Sequence, residues 1–238
     1  HEVINLPKVA ILSGKGSSAY SVGQVWHLLN EKMHIPTSLI NSNNLNRTLL
    51  DNYTVLIMSD GSFSHIDSSN VKSIKSWINR GGCLISTGSG SEWIINNKII
   101  DETIKEINKD TLDIPYENVQ AKKGSQLIGG AIFQINLDNT HPIAYGYQKS
   151  LPVFRNNETF YELSTSDAAN VGRYAKKPLM SGYISDEMND EIKNSASIIA
   201  RNVGSGSVIL FADNPHFRAF WYGTEGLLLN AVFFGNAF

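Results

Sequence analysis

Short apolar runs alternate with amphipathic segments over residues 1–108 of the chain. Buried strands of a parallel sheet are nearly continuous apolar runs, whereas a helix places an apolar residue at every third or fourth position. These two patterns predict strands at 8–14, 37–41, 54–60 and 83–87, and helices at 21–33, 45–51, 68–80 and directly after 90. Because alternating strands and helices form right-handed crossovers, this half predicts a parallel sheet in a three-layer α/β/α arrangement.

From about residue 109 the pattern changes to short apolar runs separated by turns. It predicts strands at 128–137, 151–154, 170–174, 180–184, 197–203 and 207–212, and a C-terminal helix at 225–234. Gly204-Ser205-Gly206 predicts a hairpin between the last two strands. Since no linker-like composition separates the halves, we expect residues 109–238 to extend the sheet of residues 1–108 with antiparallel strands. The whole chain, 1–238, is then a single domain.

Composition excludes several classes of protein. The chain is 42% hydrophobic and 18% charged with a net charge of −2. These values are typical of a globular core and give no reason to expect nucleic acid as a partner. No apolar run approaches the length of a membrane span. The single cysteine, Cys83, lies inside a predicted strand and is interpreted as a buried structural residue. The chain starts at His1 and not at Met, which predicts a processed product or an excised domain; His1 could be a tag remnant.

The predicted strand 83–87 stops at Gly88-Ser89-Gly90 and runs into a helix. Two glycines around one hydroxyl residue allow a tight corner that would hold Ser89 at the carboxyl edge of the sheet, where α/β enzymes place a nucleophile. His216 and Asp213, just beyond a late strand, are the candidate base and acid of a triad. Because the G-x-S-x-G spacing is incomplete, the favoured interpretation is that Ser89 caps the following helix.

The residues Gly14 to Ala19 fit the G-x-G-x-x-A pattern of a dinucleotide-binding loop. Asn41 stands where a ribose-binding acid is needed, so a plain glycine turn is the better explanation, although its free amides could hold a small anion. The carboxyl ends of parallel strands meet at one crevice, where ligands usually bind. We expect this crevice to be formed by Gly14, Gly16, Ser17, Asp60, Gly61, Ser89 and Asp213.

Two further features are candidates for binding. Asp138 with His141 and Asp213 with His216 share a D-x-x-H spacing, but a metal needs three or four converging ligands, so each Asp is expected to bond its local backbone and no metal is predicted. The segment 214–224 is rich in aromatic residues and is expected to pack or to contact another domain, with a platform for a sugar or peptide as the alternative. Its candidate residues are Phe217, Arg218, Phe220, Trp221 and Tyr222.

Segments from nearly the whole chain resemble a known domain: KVAILSG with SVGQVWHLL, YTVLIMSDGSF, IKSWINRGGCLISTG, GAIFQINLDNTHPIAYGY, LPVF, LMSGYIS and GSVILFADNPHFRAFWYGTEGLLLNAVFFG. They resemble the class I glutamine amidotransferase-like domain that follows the peptidase domain in bacterial zinc carboxypeptidases of the carboxypeptidase A type. The resemblance implies a flavodoxin-like fold with a mostly parallel sheet, and a secreted or periplasmic parent. It also implies that zinc belongs to the preceding peptidase domain, which would be the partner of this one.

The catalytic residues of that family are largely absent. Amidotransferases carry a cysteine nucleophile where this chain has Ser89, and a histidine closely followed by a glutamate where it has Asp213-Asn214-Pro215, with His216 displaced. The H-x-x-E zinc pair of the peptidases is missing, because none of the six histidines is followed by glutamate three residues on. The resemblance therefore implies a non-catalytic accessory domain without a cofactor, whose crevice could bind a small molecule or a glycan. The alternatives are a serine hydrolase or amidase using Ser89 with His216, and a carbohydrate or peptide module using Trp221 and Tyr222.

Overall fold

A computed structural model describes residues 6–107 and 115–238; His1 and the predicted boundary at residues 108 and 109 lie outside this described part. Its strands are β1 (Val9–Ser13), β2 (Thr37–Asn41), β3 (Val55–Met58), β4 (Cys83–Thr87), β5 (Ala131–Leu137), β6 (Ser150–Arg155), β7 (Asn170–Gly182), β8 (Ala196–Val203) and β9 (Gly206–Phe211). They form one sheet in the order β2-β1-β3-β4-β9-β8-β7-β5-β6.

The helices are α1 (Ala19–Trp26), α2 (Ser68–Asn79), α3 (Gly90–Asn96), α4 (Val119–Ser125), α5 (Asp186–Ile192) and α6 (Glu225–Phe234). α1 continues into a π-helical segment, His27–Lys32. Short 3-10 helices lie at Ser42–Arg47, Leu50–Asn52, Tyr116–Asn118, Pro142–Ala144, Asp167–Ala169, Phe217–Ala219 and Tyr222–Thr224. No helix in the described part of the chain is long and apolar enough to cross a membrane.

The sheet is mixed, so the expectation of a mostly parallel sheet is wrong. The neighbouring pairs from β2 to β9 are parallel, whereas every neighbouring pair from β9 to β6 is antiparallel. A parallel pair needs a long crossover connection, usually a helix, and the tight Gly204 turn between β8 and β9 reverses the chain instead. The antiparallel strands do continue the same sheet, as expected, while the assignment of the whole chain to one domain stays a prediction.

Two apolar clusters cover the two faces of the sheet. Val25 of α1 and Leu228 of α6 pack with one set of strand residues, and Trp77 of α2 and Ile94 of α3 pack with the other set. The central strands β3, β4 and β9 are buried along their whole length, as expected for strands covered on both faces. Cys83 is among these residues at 2% exposure, and burial raises the pKa of its thiol to about 12, which confirms a structural cysteine.

The structure confirms some of the predicted elements and corrects others. The predicted bounds of strands 37–41 and 83–87 and of helix 225–234 match the structure. The predicted strands 170–174 and 180–184 are wrong as separate elements, because β7 runs through both. Exposed Lys176 and Lys177 interrupt its apolar pattern, and its pairing with β5 and β8 contains register irregularities. The short helices α4 and α5 were not predicted.

Candidate functional site

The turn between β4 and α3 lies against the end of β3 at the carboxyl edge of the sheet. The Ser89 amide donates to Asp60 Oδ1 at 3.1 Å, and the Gly61 amide donates to Ser89 Oγ at 3.0 Å. Gly88 has a φ of +53°, and a Cβ there would lie 1.9 Å from Asp60 Oδ1. Only glycine fits such a position. The expectation that Ser89 caps α3 through its side chain is wrong, because its Oγ accepts from Gly61 and from no amide of α3.

The glycine loop after β1 is held against the loop after β3. Gly16 O accepts from the Ser62 amide at 2.7 Å, and Ser17 forms a β-bridge with Gly61. A Cβ on Gly61 would lie 2.2 Å from Gly16 O. The close approach of the two backbones therefore requires glycine there. The Ser18 amide donates to Asp60 O at 2.8 Å. These contacts support a plain glycine turn, with at least one of its amides already used within the protein.

Asp213, just after β9, belongs to a buried polar network. It is 5% exposed; the hydroxyls of Tyr174 and Ser197 donate to its carboxylate, and Arg155 Nη1 lies 3.6 Å from Oδ1. Burial raises the pKa of the Asp213 carboxyl, and the Arg155 guanidinium opposes that shift. The expectation that Asp213 bonds its local backbone is therefore wrong, because its partners come from β6, β7 and β8.

Arg155 is the centre of the same network. It is fully buried, and its guanidinium lies 4.4 Å from the centroid of the Phe160 ring. It donates to the carbonyls of Asn157 and Thr159 and, at 2.7 Å, to Tyr174 Oη. Because all three guanidinium nitrogens are hydrogen-bonded, the network stabilises the contact between the antiparallel strands and the edge of the parallel half.

His216 is 1% exposed, and its ring forms no hydrogen bond with either candidate partner. Its ring stacks on that of His27, with the ring centroids 6.2 Å apart. Nδ1 lies 3.4 Å from Glu225 Oε2, but neither ring nitrogen forms a hydrogen bond within the described residues. Burial lowers the pKa of His216, as do the nearby His27 and Lys32, against the opposing charge of Glu225. Ser89, His216 and Asp213 are therefore not assembled into a triad, since each makes its contacts elsewhere.

An open cleft of about 890 Å³ lies beside this edge, between α1 and the loop that follows β9. Of the predicted crevice residues it is lined by Asp60 alone, and the predicted aromatic segment contributes Phe217 and Arg218. Gly14 and Ser17 instead line a smaller groove of about 320 Å³. The polar cleft residues that the sequence interpretation missed are Ser18, Tyr20, Ser21, Gln24, His27, Asn156, Asn157 and Asn214.

No spacing in the sequence signals these missed residues, because they come from three separate segments. Gln24 is on α1, Asn156 and Asn157 follow β6, and Asn214 follows β9. The Asn214 side-chain amide donates to Gln24 Oε1 at 2.9 Å, which ties the late loop to α1. The cleft is thus a product of tertiary packing.

The aromatic segment is partly packed and partly open. Phe217 stacks on Phe154 of β6 with ring centroids 3.9 Å apart, and Trp221 lies 6.1 Å from the same ring. Phe220 and Tyr222 are 55% and 60% exposed. The packing interpretation therefore fits Phe217, while the exposed rings leave the alternative of a binding platform open.

No group of three or more His, Cys, Asp or Glu side chains in residues 6–107 and 115–238 could hold a metal ion. At the other D-x-x-H pair, Asp138 Oδ1 accepts from the Thr140 amide at 3.1 Å, and His141 Nδ1 accepts from the Ile143 amide at 3.2 Å. Both side chains therefore bond their local backbone, which confirms the structural interpretation of that pair.

The chain matches no protein-family model and no curated protein. It is similar in structure to a Thermoplasma acidophilum protein that carries a provisional GMP synthase name, with a TM-score of 0.59, 10% identity, and 97% of this chain and 95% of that one covered. It is also similar to a glutamine amidotransferase from Thermotoga maritima, with a TM-score of 0.51, 9% identity and 88% and 76% coverage. A β-galactosidase from Bacillus circulans sp. alkalophilus matches at 0.51 and 14% identity, over 94% of this chain and 30% of that chain. The chain thus has a glutamine amidotransferase-like mixed α/β fold.

Proposed function

We propose that this chain is a non-catalytic accessory domain that supports or targets the peptidase domain of a secreted or periplasmic zinc carboxypeptidase-like protein. The glutamine amidotransferase-like fold supports the domain type, and we extend it to the flavodoxin-like architecture implied by the sequence resemblance. The link to a peptidase rests on that resemblance. The occurrence of a similar fold as 30% of a β-galactosidase chain supports a role as one part of a larger enzyme.

The observation that carries the non-catalytic assignment is the hydrogen bonding of Ser89. A nucleophilic hydroxyl or thiol needs a base within hydrogen-bond reach. His216 does not supply that base, because both of its ring nitrogens form no hydrogen bond within the described residues, and Ser89 Oγ accepts from the Gly61 amide. The remaining acid of the candidate triad, Asp213, is engaged by Tyr174 and Ser197.

The supporting role is tested in the full-length parent protein, with and without this segment. We expect deletion to lower the melting temperature of the peptidase domain or its rate on peptide substrates, because a partner that binds only the folded state stabilises that state. A second variant, with the segment intact and Ser89→Ala, should retain the rate on peptide substrates. Equal melting temperature and activity after deletion would contradict the supporting role.

The absence of catalysis is tested on the 238-residue chain by itself. We expect no ammonia release from glutamine and no hydrolysis of p-nitrophenyl acetate above that of the Ser89→Ala variant. Turnover that disappears in Ser89→Ala would overturn the assignment and restore the hydrolase hypothesis.

A further inference from the structure

We propose that the cleft between α1 and the loop after β9 binds a neutral, hydroxyl-rich ligand, a short oligosaccharide. This inference goes beyond the accessory role, since it names a site and a ligand class and does not depend on the identity of the parent protein. The cleft volume is about 890 Å³, within the range of ligand-binding clefts. The cleft also lies at the carboxyl ends of parallel strands, where open α/β sheets usually bind ligands.

Four of the residues that line the cleft are carboxamides: Gln24, Asn156, Asn157 and Asn214. Each amide side chain offers both a donor and an acceptor, which matches the hydrogen-bonding capacity of a sugar hydroxyl. The Asn157 side-chain amide donates to Ala212 O at 2.8 Å, and that of Asn214 donates to Gln24 Oε1 at 2.9 Å. These two residues therefore stabilise the wall of the cleft. The Gln24 Nε2 group and the exposed Asn156 side chain are then the amides directed to a ligand.

Aromatic rings provide the apolar part of the cleft. Tyr20 lines it on α1 and is 87% exposed, which is a large apolar surface to leave in water. Phe217 lines it from the late loop and is fixed by stacking on Phe154. Aromatic rings beside convergent polar groups are the usual composition of a small-molecule cleft, and the C–H faces of a sugar pack on such rings.

The charges of the cleft favour a neutral ligand. Asp60 contributes a carboxylate that already accepts from Ser21 Oγ and from the Ser89 amide, and exposed Arg218 contributes one guanidinium. These charges balance, so neither an anion nor a cation is selected. None of the lining residues lies in a strand. The cleft therefore offers no sheet edge to pair with an extended peptide.

A second, independent observation is backbone strain at the same place. Arg218 and Ala219 are consecutive non-glycine residues with φ of 49° and 57°. Left-handed conformations of such residues cost free energy and collect at ligand sites. In this conformation the Arg218 guanidinium lies 5.2 Å from the centroid of the Phe217 ring, which lines the cleft.

The test is saturation-transfer NMR on the 238-residue chain with maltotriose, cellotriose and triacetylchitotriose, and with tri-alanine as the peptide probe, each at millimolar concentration. We expect transfer to at least one sugar, and a Kd weakened by about tenfold or more in Tyr20→Ala, because a contact ring is removed. Asn156→Ala, also exposed, should weaken binding as well. Tyr116→Ala is the matched control, since Tyr116 is 93% exposed and outside the cleft, and it should bind as the unaltered chain does.

The outcomes are decisive in both directions. No transfer to any of the three sugars, or equal affinity in Tyr20→Ala and Asn156→Ala to that of the unaltered chain, would overturn the proposal. Transfer to tri-alanine alone, lost in Tyr20→Ala, would assign the cleft to a peptide and also overturn it. Failure of the accessory role in the deletion experiment leaves these sugar measurements unchanged, so the two proposals fail separately.

Discussion

The neighbouring strands β4 and β9 end at the same edge of the sheet, and each is followed by a residue of potentially catalytic type. After β4, the half-buried Ser89 is held by backbone and carboxylate groups of the adjacent loop, within one small turn. After β9, the buried Asp213 is held by side chains from three antiparallel strands. The first site is a turn held by local hydrogen bonds to the backbone, and the second is a long-range polar network.

This difference shows two ways in which the polar groups at the carboxyl edge of a sheet can stabilise the fold. In both places the groups that could act on a substrate already have partners within the protein. The turn after β4 depends on glycine and on short backbone distances, whereas the network after β9 depends on paired charges that are buried. We therefore expect mutations to affect the two sites by different mechanisms and by different amounts.

The largest effect is expected at the network. Arg155→Leu leaves the Asp213 carboxylate buried without its cation. Removal of one partner of a buried pair should lower the free energy of unfolding by about 3 to 5 kcal/mol. The control is Arg173→Leu, which breaks the exposed Arg173–Asp167 pair and should cost less than about 1 kcal/mol. Urea denaturation measures both, and similar losses would contradict the distinction between buried and exposed pairs.

The next largest effect is expected at the turn after β4. Gly88→Ala forces a Cβ against Asp60 Oδ1 at a positive φ, and should lower the free energy of unfolding by about 1 to 3 kcal/mol. Gly124→Ala in α4 meets nothing within 4 Å and should instead stabilise the fold by less than about 1 kcal/mol. Thermal and urea unfolding compare the two, and stabilisation by Gly88→Ala would show that the turn is not constrained as described.

A smaller effect concerns His216, which packs beside the end of β9. Burial lowers its pKa in the folded state. The unfolded state therefore binds more protons between that lowered pKa and about 6.5, and the free energy of unfolding falls as pH drops through that window. We expect His216→Gln to flatten this dependence by up to about 1.4 kcal/mol per pH unit.

The control for that titration is His34→Gln, because His34 is exposed. His65 and His141 also have pKa values lowered by burial and contribute the same slope to every variant. Urea denaturation at a series of pH values gives the slopes. Equal slopes for the unaltered chain and His216→Gln would contradict the burial of a neutral imidazole.

The smallest effect is expected from the Ser89 hydroxyl itself. Ser89→Ala removes the acceptor of the Gly61 amide. Loss of this one hydrogen bond should cost about 1 kcal/mol of unfolding free energy. Ser62→Ala, at an exposed position in the adjacent loop, should be close to neutral. A loss above that of Gly88→Ala would show that the hydroxyl, and not the glycine geometry, holds the turn.

Features that depend on local pattern could be predicted from the amino-acid sequence alone. The continuous apolar run of β4, the apolar C-terminal segment that forms α6, the Gly204 hairpin turn and the burial of Cys83 follow from residues close together in the chain. Even the glycine turn after β1 was interpretable, because glycine has a restricted set of structural uses.

Which distant polar groups meet could be learned only from the folded arrangement of the strands. The mixed sheet, the pairing of Asp213 with Arg155 and Tyr174, and the cleft between α1 and the late loop all depend on strand order and register. The physical reason is that periodicity encodes whether a residue is buried, while the partner of a buried polar group depends on which strand lies beside it.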